Sequence, residues 1–142
     1  MATLGSVRRR QIHGLPSSLA PRQRPPHPRL GGGWAEQRAL RLLQSRGWRL
    51  RARNWHCRWG ELDLLLEKPD RLLLVEVKGR RSGVDGWGVA ALQRGKRRRL
   101  ERAWLCWLAE HPAEATRPVQ LVYALVPLPP QRGAVRWLRA GF

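Results

Sequence analysis

Residues 60–81 read Gly60-Glu61-Leu62-Asp63-Leu64-Leu65-Leu66-Glu67-Lys68-Pro69-Asp70-Arg71-Leu72-Leu73-Leu74-Val75-Glu76-Val77-Lys78-Gly79-Arg80-Arg81. Two apolar runs, Leu62 to Leu66 and Leu72 to Val77, flank Lys68-Pro69-Asp70-Arg71, and a Pro-Asp pair between strand-like runs reads as a turn. The stretch is a β-hairpin. A turn centred between Pro69 and Asp70 sets Asp63 opposite Glu76 and Glu61 opposite Lys78. A four-residue loop, Lys68 to Arg71, keeps that register and suits Pro-Asp in a type I turn better than a tight primed turn. Strand alternation then puts Leu62, Leu64 and Leu66 with Leu73, Val75 and Val77 on a core-seated face, and three acids and a lysine on the other.

Opposed carboxylates about 5 Å apart at Cβ repel unless something positive lies between them. A divalent metal meets that need. Hard oxygen ligands with positions left for water and phosphate suit Mg²⁺ or Mn²⁺, and Lys78, one pleat along, is placed to act on a water or a phosphate. The competing reading is a solvated strand face whose acids are neutralised by neighbouring arginines.

Lys plus Arg number 28 against 10 Asp plus Glu, a net charge of +18, and the excess is mostly arginine, whose planar fork pairs with phosphate. A polyanionic partner follows. Nucleic acid ranks ahead of a membrane surface, because no basic helix has a clean lipid-facing side and no apolar run reaches the roughly 18 residues of a membrane span. Cys57 and Cys106 lie far apart without zinc-ligand spacing, so a cytoplasmic protein with two reduced thiols is expected.

The length, 142 residues, suits one domain. Residues 1–30 hold five prolines, six arginines and no acid, and are expected to be a disordered basic tail. Residues 31–142 keep +12 of the charge, so the positive surface belongs to the domain. Ala35, Ala39, Leu42 and Leu43 recur at helical spacing until Gly47, predicting a helix over about 34–46. Glu36 lies beside that stripe, either favoured by the helix N-terminus or pointing into a cleft shared with the acidic face.

Residues 48–55 alternate as a strand with Arg49, Arg51 and Arg53 on one face, an exposed basic strip or a phosphate contact. Ser82 to Gly88 is a Gly-rich loop next to the acidic face, in which Trp87 either stacks on a base or anchors the loop. From Val89 to about Glu110 a second helix carries Leu100, Ala103, Trp104, Trp107 and Leu108 as its packing stripe. Arg94, Lys96, Arg97, Arg98, Arg99 and Arg102 crowd its first half, a repulsion that a phosphate backbone would relieve. Residues 119–126 read as a strand buried on both faces, and Val135 to Leu138 as a last short one. The order is αβββαββ.

Several segments together resemble the YraN-type family of uncharacterised bacterial proteins: Ala35-Glu36, Arg53-Asn54 before Gly60-Glu61-Leu62-Asp63, Val75-Glu76-Val77-Lys78-Gly79-Arg80, Lys96-Arg97-Arg98-Arg99-Leu100, and terminal Ala140-Gly141-Phe142. That family looks like a branch of the PD-(D/E)XK nuclease superfamily, near the archaeal Holliday-junction resolvases. The resemblance covers roughly residues 31–142. It implies an α/β fold, a restriction-endonuclease-like mixed sheet flanked by helices. It also implies a metal-binding acid at Asp63, the (D/E)xK pair at Glu76 and Lys78, and a resolvase-like acid at Glu36. Such proteins usually carry an Arg-Phe-Asp-like motif at the late strand, where this chain reads Pro118-Val119-Gln120, so the role of that acid is absent here.

The expected function is therefore nucleic-acid binding with a Mg²⁺- or Mn²⁺-dependent phosphodiesterase site of the endonuclease type. Asp63 and Glu76 would hold the metal with a backbone carbonyl near Val77, and Glu36, Asp63, Glu76 and Lys78 would form the catalytic set. Arg80, Arg81, Arg94, Lys96, Arg97, Arg98 and Arg99 would contact the nucleic acid, DNA ranking ahead of RNA. The alternative is a non-catalytic nucleic-acid-binding module of the same fold. Monomer and homodimer both stay open.

Overall fold

The computed structural model describes residues 32–80 and 94–141. The expected basic tail, Arg81, the loop 82–88 with Trp87, and the side chains of Arg94 and Lys96 lie outside the described residues. Helix α1 (Gly32–Ser45) is followed by strands β1 (Arg49–Cys57), β2 (Gly60–Lys68) and β3 (Arg71–Arg80), helix α2 (Arg94–Glu110), and strands β4 (Val119–Pro127) and β5 (Arg136–Ala140). The expected element order holds. One five-stranded mixed sheet runs β1-β2-β3-β4-β5, parallel only between β3 and β4, the pair that α2 connects. No helix among the described residues is long and apolar enough to cross a membrane.

Helix α1 stops at a glycine because the chain must turn left-handed there. Gly47 has φ +86°, its N–H bonds to Gln44 O at 3.0 Å, and Trp48 N–H reaches back to Leu43 O at 3.1 Å, the paired bonds of a Schellman cap. The helix buries Ala35, Ala39, Leu40 and Leu43 on one face of the sheet, against Leu64, Leu66, Leu73, Val75, Val122, Ala124 and Val126. On the other face α2 buries Leu100, Ala103, Trp104 and Trp107 against Leu62, Leu65, Leu72, Leu74, Leu121 and Tyr123. The second helix thus packs through its later part, as its stripe predicts. Strand β4, enclosed by both layers, is buried from Leu121 onward.

The hairpin register is the expected one, with Lys68↔Arg71, Leu66↔Leu73 and Leu64↔Val75. Three details differ. The loop is the two residues Pro69-Asp70, since Lys68 and Arg71 are themselves paired, and Arg117 Nη2 fastens this tight turn by donating to Lys68 O at 2.7 Å. The hairpin does not leave one face to water, because α2 covers Leu65, Leu72 and Leu74 as α1 covers Leu64, Leu66, Leu73 and Val75. Leu62 sits in the α2 layer while Leu64, two residues on, sits in the α1 layer, so alternation breaks at Asp63.

The expected row of Arg49, Arg51 and Arg53 is also interrupted. The β1–β2 register shifts between Leu50 and Ala52, leaving Arg51 as the extra residue of a bulge. Arg49 and Arg51 both reach Glu67, whereas Arg53 turns to Gln37 and Glu36 of α1. Part of the basic strip is therefore spent inside the protein.

Candidate functional site

The sheet opens at Asp63. Between β1 and β2 the pairs run Ala52↔Leu65 and Arg53↔Leu64, then resume at Trp55↔Leu62, which leaves Asn54 opposite Asp63 outside the ladder. Asn54 takes the left-handed conformation, φ 49°, which asparagine tolerates better than most residues. On the other side the β2–β3 pairs end at Leu64↔Val75, and the next link is a side chain: Val77 N–H donates to Asp63 Oδ2 at 2.8 Å. Asp63 thus interrupts both ladders and is 8% exposed.

Burial, followed by the neighbouring Glu76 carboxylate, pushes the Asp63 carboxyl well above the usual range. The Val77 N–H opposes that rise, while Glu36 and Glu61 add to it. Among the described residues no cation pairs with Asp63. The structure therefore brings Glu36, Glu61 and Glu76 within electrostatic reach of one buried acid that has no ion pair among the described residues. A cation is the direct relief for such a cluster.

Each neighbour is held separately. Glu36 is half-buried on α1 with Arg53 Nε at 3.7 Å from its Oε2, and burial raises its carboxyl against the Asn54 hydrogen bond and the Arg53 charge. Glu61, exposed, is the register partner of His56, whose Nδ1 lies 3.1 Å from Glu61 Oε2. Glu76 is bonded at Oε1 by Lys78 Nζ, 3.0 Å away. The pairing of Glu61 with Lys78 expected from the hairpin does not appear in the β2–β3 register, which stops short of it.

No group of three or more His, Cys, Asp or Glu side chains among the described residues forms a ready-made metal cage. Asp63 and Glu76 carry hard oxygen donors, the ligand type that Mg²⁺ and Mn²⁺ take.

The basic half of α2 lies at this end of the sheet. Gly60, which opens β2, comes so close to α2 that an added Cβ would stand 3.0 Å from Arg99 O. Tyr123, register partner of Glu76, has its phenol raised by burial and feels the charges of Arg97, Glu76 and Lys78. Arg98 and Arg99 are exposed, while Arg97 is half-buried and donates to Gly141 O. Arg80 is half-buried, with its Nε enclosed and without a hydrogen-bond partner among the described residues. Next to Glu36, Trp34, Gln37, Arg38, Arg41, Leu42 and Arg53 line an open groove of about 620 Å³.

From the sequence, Asn54 enters only within the Arg53-Asn54 pair of the resemblance, with no place at the site, and Tyr123 and this groove do not enter at all. Asn54 carried a local signal, an asparagine amid strand-forming residues, whereas the others depend on which elements meet in space. Gln120, standing where the resemblance has an acid, pairs with Leu73, three strand steps or about 10 Å from Glu76.

A family model described as "Uncharacterised protein family UPF0102" matches residues 35–124, which include all four clustered acids and Lys78. A UPF0102 protein of Prochlorococcus marinus (strain MIT 9303) is 58% identical over 109 residues, 76% of this chain and 86% of its own. One from Parasynechococcus marenigrum (strain WH8102) is 47% identical over 136 residues, 96% of each chain. A more distant one from Bordetella avium (strain 197N) is 40% identical over 120 residues, 82% of this chain and 78% of its own. On the strength of that match across its helices, hairpin and acid cluster, the chain belongs to the UPF0102 family.

Proposed function

We propose that the protein binds nucleic acid and hydrolyses phosphodiester bonds with a divalent metal, Mg²⁺ or Mn²⁺, in the manner of a restriction-endonuclease-like fold of the PD-(D/E)XK type. The observation that carries this reading is Asp63: buried, without a cation among the described residues, and pressed by Glu76, Glu36 and Glu61. Ion-pair networks also perturb carboxylates, but a structural carboxylate gains cations, whereas this one has gained anions.

Asp63 and Glu76 are the residues that would hold the metal, and Val77 N–H fixes the Asp63 carboxylate. A bound divalent ion supplies Lewis acidity and a more acidic water. Lys78 carries its ammonium beside the acids and would donate to a phosphoryl oxygen as charge develops there. Glu36 completes the anionic cluster from α1, where Arg53 and Asn54 orient it. Arg98 and Arg99 offer exposed guanidiniums for phosphates. DNA is the expected polymer, ahead of RNA.

The second reading, a non-catalytic binding module, draws on the Glu76–Lys78 ion pair, which neutralises both groups without a metal. Incubating the protein with single-stranded, duplex and four-way-junction DNA, with Mg²⁺, Mn²⁺ or chelator, separates them. Metal-dependent cutting lost in Asp63→Asn supports the enzyme. Binding to all three without cutting supports the module.

A further inference from the structure

The turn between β1 and β2, which precedes the strand that carries Asp63, presents an aromatic ring to solvent. Trp59 is 42% exposed, one of three large hydrophobic side chains so placed among the described residues. Trp34 has one guanidinium over its ring, that of Arg38 at 5.8 Å, whereas Trp59 has two. The Arg58 guanidinium carbon lies 4.5 Å from the ring centroid and that of Arg102 lies 5.3 Å away. Both arginines are exposed, as are Arg98 and Arg99 on the same helix.

The ring's backbone is also fixed. Trp59 N–H donates to Cys57 Sγ at 3.4 Å, and the following residue, Gly60, rests against the α2 backbone at Arg99. From Gly60 to Asp63 is three strand steps, about 10 Å.

We propose that Trp59 is a stacking platform for an unpaired nucleobase, with Arg58 and Arg102 taking the flanking phosphates. The proposal deepens the nucleic-acid reading above and rests on it. A ligand that fits here needs a flat π face and adjacent negative charge. Nucleic acid has both, while a basic protein surface would meet repulsion from the arginines and a purely apolar one would have to desolvate them. In the free protein the two guanidiniums lie over part of the ring. Surface cation–π contacts of that kind are weaker than the stacking of a base on an aromatic side chain, so a base can displace them. The displaced arginines then meet phosphate instead of water. Bases inside a duplex have no free face, so the platform selects single strands, frayed ends and branch points. Stacking tolerates any base, so no sequence preference arises from it.

The test uses the full chain in chelator, so that cutting does not enter, and fluorescence anisotropy of two labelled probes: oligothymidylate and an abasic oligomer of equal length. Wild type should bind oligothymidylate more tightly. Trp59→Ala should weaken that binding by about tenfold while leaving the abasic oligomer unchanged, and Trp59→Phe should restore most of the loss. Trp59→Lys, which adds charge but removes the ring, should bind the abasic oligomer at least as tightly as wild type and oligothymidylate less tightly. Equal affinity of wild type for both probes, or an equal loss on both in Trp59→Ala and Trp59→Lys, would overturn the platform and leave nucleic-acid binding intact. Failure of wild type to bind either probe would overturn both readings.

Discussion

Replacing Glu67 by glutamine keeps the side chain's shape and removes its charge. The carboxylate is 7% exposed and accepts hydrogen bonds from Arg117 Nη1 at 2.8 Å, Arg51 Nη1 at 2.7 Å and Arg49 Nε at 3.0 Å. The bonds from Arg117 and then Arg49 hold its pKa down to about 2, from an ordinary 4.5. At 1.36 kcal/mol per pKa unit that shift corresponds to about 3 kcal/mol, an upper figure. The Arg49 side chain is 80% exposed, and screening there brings the expected loss to about 2 kcal/mol. A domain of this size should then melt roughly 8 °C lower at pH 7. Because the folded-state pKa is depressed, the stabilisation is complete above about pH 4.5 and disappears as pH falls toward 2. Melts of wild type and Glu67→Gln at pH 7 and pH 3 read both effects. The gap should narrow at pH 3. Equal melting temperatures at pH 7, or a gap of the same size at pH 3, would refute the charge-based account.

The same bookkeeping gives Asp63→Asn the opposite sign: in chelator it should raise the melting temperature, and Mn²⁺ should stabilise wild type more than the variant, a pattern that thermal melts with and without Mn²⁺ would detect. Lys78→Ala should abolish most metal-dependent cleavage with metal and nucleic-acid binding nearly unchanged, since its contribution grows in the transition state. Full single-turnover activity in that variant would remove Lys78 from the catalytic set. Arg98→Ala and Arg99→Ala should each weaken binding across all sequences and lower the log–log salt slope by about one if each meets a phosphate, which titrations at several salt concentrations would measure.

The hairpin was legible because its register depends on a local turn, and the pairing from Lys68↔Arg71 to Leu64↔Val75 is the one that Pro69-Asp70 dictates. The helix stripes were legible too, since periodicity reports which side is buried. What escaped were events set by three-dimensional encounter. A second helix on the far face turns an apparently solvated strand face into core, and a bulge at Arg51 sends two arginines to Glu67 while Arg53 goes to α1. Neither the bulge nor the broken alternation at Asp63 has a signature that simple strand alternation can express.

Two acids of β2, Asp63 and Glu67, are four residues apart, both buried, and look alike in the sequence. Glu67 meets guanidiniums from Arg49 and Arg51 on β1 and from Arg117 after α2, so its charge stabilises the fold. Asp63 meets Glu76, Glu36 and Glu61, so its charge opposes folding. A chain with 28 basic residues had ample means to neutralise Asp63 in the way it neutralised Glu67. Among the described residues, Arg53 instead reaches Glu36 and Gln37, and Lys78 reaches Glu76. That contrast between two buried acids on one strand is the physical basis for proposing that a cation binds at Asp63.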